Sequence, residues 1–347
     1  MKRFLPLILI LFMFSCTKHE DYCVLTLGST DGGFVVGDGE FEKNGDITIE
    51  AVALEGYKFA CWNDYDTCQK RTIKLICDTT LTAYFAPEGA LTGIFSIDNN
   101  RKVFFSKGNL QYNAAQNVWR FADQQYEMVG LGNTQIAEYY NGWIDLFGWG
   151  TSGYNNTIND SLNIHFQPWA SSFAHIEGQN NYYGYGPSNE RISEIKYYYY
   201  DWGLNNPISN GGNKKGMWRT MTWDEWEYLI MGHRIVYSLE TDIEGIYILP
   251  DNYTQLPFSI KDNWVRNEKQ RHIMEKIGAL FLPAAGYRIG KEVNGVKEQG
   301  VYCSSVRGGG PLVFQFFSKY PIYSQSVIHD AGETYVGRSV RLVYDIE

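Results

Sequence analysis

Residues 278–288 read GALFLPAAGYR, 301–305 read VYCSS, 313–317 read VFQFF and 336–343 read VGRSVRLV. Three short apolar runs in this stretch carry strand punctuation: Ala279–Leu282, Leu312–Phe317 and Ser339–Tyr344. Each is flanked by Gly, Pro or Ser and is rich in apolar, β-branched or aromatic side chains. Polar, glycine-containing intervals separate them, and a rigid sheet carrying long loops places binding on the loops. Tyr302, Ser304, Arg307, Phe314, Phe316, Tyr335 and Arg338 bracket those late loops and form the candidate ligand-binding set. Alternate residues of VFQFF must face a core, and Arg338 or Arg341 would serve equally well as a lock on the final strand.

The surrounding chain bounds these readings. At 347 residues it accommodates two domains after a leader is removed. With 44% hydrophobic residues it can bury a real core. A net charge of −9, with no Lys/Arg cluster to reverse it locally, argues against nucleic acid as a partner, because that role needs a basic face to displace counterions. The 26 tyrosines and 10 tryptophans fit a β-rich body with aromatic cross-strand pairs and recognition surfaces.

Helix signals are few. Residues 218–233 read WRTMTWDEWEYLIMGH. Thr222 with Glu225 three residues on is a capping box, Asp224 and Glu225 suit the positive helix start, and Gly232 ends the run. Trp223, Trp226 and Ile230 are expected on its buried face. A second helix is expected over 268–277, capped by Asn267 and stopped by Gly278, with Ile273, Met274 and Ile277 inward. Between 130 and 213 the chain is dense in Gly, Asn and Tyr with no sustained helical period. Trp143, Phe147 and Trp149 are read there as loop anchors, and Tyr182–Tyr185 and Tyr197–Tyr200 as core, with an exposed sugar-stacking surface as the alternative.

At the N-terminus, Lys2 and Arg3 precede an apolar run from Phe4 to Phe14, the shape of a secretory signal too short to span a bilayer. LFMFSC (11–16) resembles the lipobox of bacterial lipoproteins, with Met13 where leucine is usual. The resemblance implies cleavage after residue 15 and lipidation of Cys16. The acidic pair Glu20-Asp21 resembles a surface-export signal of lipoproteins. The expected location is the outer membrane, lipid-anchored and exposed on the cell surface.

Residues 22–86 then read as a small β unit, with Asp46–Ala53 alternating at period 2 and further strands expected at 23–27, 33–36, 58–62, 72–77 and 81–85. Its order of parts is similar to the divergent internalin-type B-repeat, carried by Gly32, Gly33, Glu55, Gly56, Tyr57, Phe59, Trp62, Thr82 and Phe85. That resemblance implies a β-grasp-like spacer with no catalytic residues. The exported setting permits disulfides, and four cysteines allow three connectivities. Cys61–Cys68, flanking a turn, and Cys23–Cys77 are the favoured pairs. The short paired spacings of a zinc site are missing.

After a linker at 87–93, residues 94–347 behave as one unit. WRTMTWDEWEYL (218–229) and GRSVRLV (337–343) are similar to segments of the formylglycine-generating, sulfatase-modifying family. Together with FSKGNLQY (105–112) and WIDLFGWG (143–150), the late motifs more closely resemble the C-type-lectin-fold domains of bacterial surface lipoproteins, the variable proteins of diversity-generating retroelements among them. Formylglycine generators bind copper through a late pair of cysteines, and this unit has only Cys303, read as a small buried hydrophobe. No H-E-x-x-H, G-x-S-x-G or P-loop pattern is present. Asp251-Asn252 could ligate calcium, without supporting loop spacing.

The fold expectation is α+β: a leader (1–15), a tether (16–21), a small β-grasp-like repeat module (22–86), a linker (87–93), and a C-type-lectin-like domain (94–347) with short strands, two helices and long loops. The functional expectation is a non-enzymatic, lipid-anchored surface protein without cofactor or metal. It recognises an unidentified protein or glycan ligand and meets the membrane through Cys16. A sulfatase-modifying enzyme relative and a subunit of a surface assembly are the alternatives.

Overall fold

A computed structural model describes residues 21–135, 140–151, 195, 201–257, 259–260, 262–289, 292–307, 311–318, 328–330 and 336–347. Cys16 and Tyr335 lie outside the described residues, as do both tyrosine clusters.

The module consists of seven strands: β1 (Tyr22–Ser29), β2 (Gly33–Val36), β3 (Gly39–Glu42), β4 (Asp46–Ala53), β5 (Tyr57–Trp62), β6 (Lys70–Lys74) and β7 (Thr79–Pro87). They form two sheets, ordered β3-β1-β7-β5 and β2-β4-β6. In β4 the alternation sends Ile47, Ile49 and Ala51 inward, where they meet Cys23, Leu25, Trp62, Leu81 and Phe85 from the facing sheet. Two sheets closing on one apolar layer give a sandwich-like unit, which replaces the β-grasp-like expectation.

The larger unit adds β8 (Phe95–Ser96), β9 (Lys102–Phe105), β10 (Leu110–Asn113), β11 (Val118–Phe121), β12 (Arg219–Thr220), β13 (Ile235–Glu240), β14 (Ile243–Ile248), β15 (Trp264–Val265), β16 (Leu280–Pro283), β17 (Tyr287–Ile289), β18 (Glu292–Asn294), β19 (Gln299–Arg307), β20 (Pro311–Phe317), β21 (Ile328–Asp330) and β22 (Leu342–Asp345). The sheets that matter below are β15-β13-β14-β16 and β12-β22-β9-β8. Its described helices are α1 (Trp202–Asn205), α2 (Trp223–Gly232) and α3 (Glu268–Lys276). The molecule is therefore mostly β, built from many small sheets, and the α+β expectation with two helices is corrected. The physical reason lies in the pattern: the described strands are two to nine residues long and rich in β-formers, and each described α-helix starts at a capping side chain. Asp201, Thr222 and Asn267 are those caps, each accepting from backbone N–H groups of the first turn.

The capping box of α2 forms as read, but its buried residues are Glu225, Trp226 and Leu229, with Trp223 and Ile230 only half-buried. Glu225 sits inside because it is a hub. It accepts from Arg219 Nη1 at 2.7 Å and Nη2 at 3.0 Å, from Arg101 Nη1 at 2.8 Å, and from its own cap's N–H at 2.9 Å. Arg219 also grips Asp345 with Nε and Nη2, both at 2.6 Å. Burial alone would lower the Arg219 guanidinium, but the two carboxylates outweigh it and hold it above its ordinary value. This fork ties the start of α2 to the last strand.

The module and the larger unit share a core. Ala60, Cys61 and Ala86 pack in one cluster with Phe104, Tyr112, Trp119, Trp218 and Leu342. The expected linker is bonded to both sides: Glu88 N–H donates to Gly56 O at 2.7 Å, and Leu91 N–H to Phe105 O at 2.8 Å. Lys58 Nζ donates to Ala90 O at 2.8 Å. Glycine is required where this segment crosses the end of α3. Gly278 has φ +73°, and a Cβ on Gly93 would lie 2.1 Å from the Gly278 carbonyl oxygen.

Candidate functional site

The five members of the late-loop set whose side chains are described do not form a surface. Tyr302, Ser304, Phe314, Phe316 and Arg338 are all buried, four of them with no measurable exposure. The Tyr302 hydroxyl donates to Pro283 O at 3.0 Å and accepts from Asn109 Nδ2 at 3.3 Å. Ser304 Oγ donates to Leu312 O at 2.8 Å. Phe314 stacks on Trp226 with ring centroids 5.3 Å apart. Arg338 Nη1 donates to Val336 O at 3.1 Å, and Arg341 reaches the carbonyls of Ser106 and Phe281. Tyr302, Phe314 and Phe316 pack in one cluster with Trp226 and Leu229 of α2, and all five residues are core and cannot meet a ligand as surface groups. Of Arg307 only the backbone, at the end of β19, is described. Cys303 is fully buried, and burial pushes its thiol up to about 12. Phe147 and Trp149 are buried as read, whereas Trp143 is half-buried under the Arg120 guanidinium, 4.0 Å from its ring centre.

The favoured disulfides are not formed. Cys23, Cys61, Cys68, Cys77 and Cys303 are free thiols. Cys61 turns into the core shared with the larger unit while Cys68 is exposed, and Cys23 turns into the module core while Cys77 is exposed. In each expected pair one sulfur is committed to packing and the other to solvent. Burial, with Asp64 nearby, pushes the Cys61 thiol up to about 11.

What the structure does assemble at the surface is a groove that begins where α2 ends. Two adjoining depressions, of about 350 and 570 Å³, share Gly232, His233, Arg234 and Thr254. The first runs toward the module and is lined by Tyr65, Ser96, Lys102, Tyr228, Asp251 and Tyr253. The second runs the other way, along Ile230, Met231, Tyr237, Asp262, Asn263 and Trp264. Their volumes lie in the range of small-ligand sites, roughly 300–1,000 Å³.

The floor of the first depression is locked by Asp251. Its Oδ1 accepts from Ser96 N–H at 2.7 Å and lies 2.9 Å from His233 Nε2. Its Oδ2 accepts from Ser96 Oγ at 2.8 Å and pairs with Lys102 Nζ at 3.2 Å. Burial would raise this carboxyl, but the hydrogen bonds from His233 and Ser96 and the charge of Lys102 hold it at about 2. His233 is the C-cap of α2, with Nδ1 3.0 Å from Leu229 O. An aspartate already served by four donors is a structural clamp, and the calcium reading of Asp251-Asn252 finds no such role for it. Serine, histidine and aspartate meet here without a nucleophile–base contact, since Ser96 Oγ bonds the carboxylate rather than the imidazole. Lys102 lies 5.9 Å from the ring centre of Tyr65, so a module side chain completes this wall.

The second depression is stiffened by β15. Tyr237 and Trp264 pair in register across β13 and β15, with ring centroids 5.0 Å apart. Asn263 has φ +63°, a left-handed conformation that asparagine tolerates. It is held there by Tyr237 N–H donating to Asn263 O at 2.9 Å. Arg234 Nη2 donates to Asn263 Oδ1 at 2.6 Å. Sequence reading missed this groove because its residues come from six separate stretches, at 65, 96, 102, 228–237, 249–254 and 262–264. The only local signal was Trp264 beside Asn263 and Asp262, an aromatic flanked by planar polar groups.

Comparison with known families bears on the module. Residues 23–89 match the divergent InlB B-repeat domain. The match ends two residues past β7 and leaves the larger unit outside it. No curated protein and no solved structure matches the chain. A B-repeat domain points to a surface-associated, adhesion-type protein. Among the described residues no helix is long and apolar enough to cross a membrane.

Proposed function

We propose that this is a non-enzymatic protein held at the outer membrane by lipid on Cys16, and that it recognises an extracellular ligand in the groove around His233 and Arg234. The observation that carries the reading is that the groove is walled by both units: Tyr65 of the module stands beside Lys102, Asp251 and Tyr253 of the larger unit. A B-repeat acting purely as a spacer has no need of a core shared with its neighbour. Here it braces the recognition surface, which limits the ordering cost of binding. The leader and tether supply the anchor, and the welded units supply the site.

Filling the groove tests this. Thr254→Trp places a large side chain at an exposed position common to both depressions. Cells displaying this variant are expected to lose adhesion to the surface that the wild-type protein binds, with thermal stability unchanged. Unaltered adhesion by a stably folded Thr254→Trp protein sinks the assignment of the groove.

A further inference from the structure

Resting on that reading, we infer that the second depression takes a saccharide carrying a carboxylate. Three features of its wall point there. The first is a rigid aromatic face: Trp264 is half-buried and backed by Tyr237 at 5.0 Å, so its ring presents a fixed apolar surface of the kind the C–H face of a pyranose covers. The second is a set of planar polar groups beside that ring. Asp262, Asn263 and Arg234 all line the depression, and such groups bond neighbouring hydroxyls in pairs. Asn263, in the left-handed conformation that asparagine tolerates, sets its amide against Arg234.

The third is charge, and it decides the class. Asp262 is paired with Arg266, and Asp251 on the neighbouring floor is paired with Lys102. Arg234 is exposed, and its side-chain partner among the described residues is the uncharged Asn263 amide. A guanidinium carries five N–H donors in a fork that matches a carboxylate. One of them is used on Asn263, which orients the fork and leaves further donors for a ligand. Among the described residues, Arg234 therefore offers a positive charge with no carboxylate partner next to an aromatic platform, on a molecule whose net charge of −9 gives anions no general attraction. An acidic sugar satisfies the ring and the fork together.

The test is titration calorimetry of the full-length protein with three probes: an oligogalacturonate hexamer, sialyllactose, and a neutral gluco-oligosaccharide hexamer. At least one acidic probe is expected to bind about tenfold more tightly than the neutral one. Arg234→Gln is expected to erase that margin, and Trp264→Ala to remove saccharide binding altogether. Trp264→Phe, which keeps a ring, is expected to retain measurable binding and guards against loss of fold. Equal affinity for acidic and neutral probes, or an acidic preference untouched by Arg234→Gln, overturns the inference. A photo-reactive side chain at Met231, on the groove rim, separates the two readings. If it captures a protein while no saccharide binds, the inference fails and groove recognition stands. If neither ligand is found, both fail.

Discussion

Replacing Arg219 with alanine is expected to destabilise the protein by about 3–4 kcal/mol. The magnitude follows from what is left behind. Glu225 is only 2% exposed and loses a bidentate partner at 2.7 and 3.0 Å. Removing one member of a buried pair typically costs about 3–5 kcal/mol, because the survivor stays charged and desolvated. Two features move the expectation to the lower half of that range. Arg101 still reaches Glu225 at 2.8 Å, though it is itself 55% exposed. Asp345, the other partner, is 43% exposed and rehydrates, so its share is under about 1 kcal/mol. At roughly 2–4 °C per kcal/mol for a unit of this size, Tm should fall by about 10 °C. Urea denaturation followed by tryptophan fluorescence measures the change directly. The double variant Arg219→Leu with Glu225→Leu should recover at least half of the loss, since an apolar pair leaves no orphan charge. A loss below about 1 kcal/mol for Arg219→Ala, or no recovery in the double variant, would refute the reasoning.

Other consequences can be checked alongside. Burial raises the Asp145 carboxyl to about 6 despite hydrogen bonds from Val129 and Asn133. Its folded value thus lies above its unfolded one, so stability from this group is full below about pH 4 and is lost as pH rises through 6. Asp251, held at about 2, acts oppositely, and its contribution is lost as pH falls from about 4 toward 2. Denaturation across pH should show the first slope weaken in Asp145→Asn, leaving the share of the likewise raised Asp201, and the acid slope weaken in Asp251→Asn, leaving the share of the other lowered carboxyls Asp66, Asp98 and Asp262. Because module and larger unit share a core, calorimetry should show one unfolding transition, and Ala86→Glu should split it in two. A thiol reagent should modify Cys68 and Cys77 in the native protein, and Cys23, Cys61 and Cys303 only after denaturation. Gly93→Ala must push against the Gly278 carbonyl and should cost about 1–3 kcal/mol in the same urea titration.

Local chemistry was legible and long-range chemistry was not. The T-x-x-E capping box names the start of α2 correctly because both its hydrogen bonds join residues three apart. The alternation of β4 likewise gives its bounds and its inward face. The β13–β14 hairpin escaped notice because its turn, Thr241-Asp242, has no glycine. Asp242 takes the left-handed conformation instead, with φ +67°. Strand β3 was hidden because Asp38-Gly39 also reads as a turn. The late motifs read as strands, but Tyr302, Ser304, Phe314, Phe316 and Arg338, expected at a ligand, point inward. Tyr302 is satisfied by Asn109, 193 residues away, and no local pattern carries that information. The groove was out of reach for the same reason, since Tyr65, Lys102, Arg234, Asp251 and Trp264 meet only through the sheets.

The central claim is that recognition happens in the groove at the end of α2, and photo-crosslinking on intact cells tests it most directly. A photo-reactive residue at Met231 or Thr254 is compared with one at Ile76 on the exposed module surface. The account predicts a discrete adduct from the two groove positions that Thr254→Trp suppresses in the Met231 probe, and none from residue 76. Adducts from residue 76 with none from the groove would contradict it.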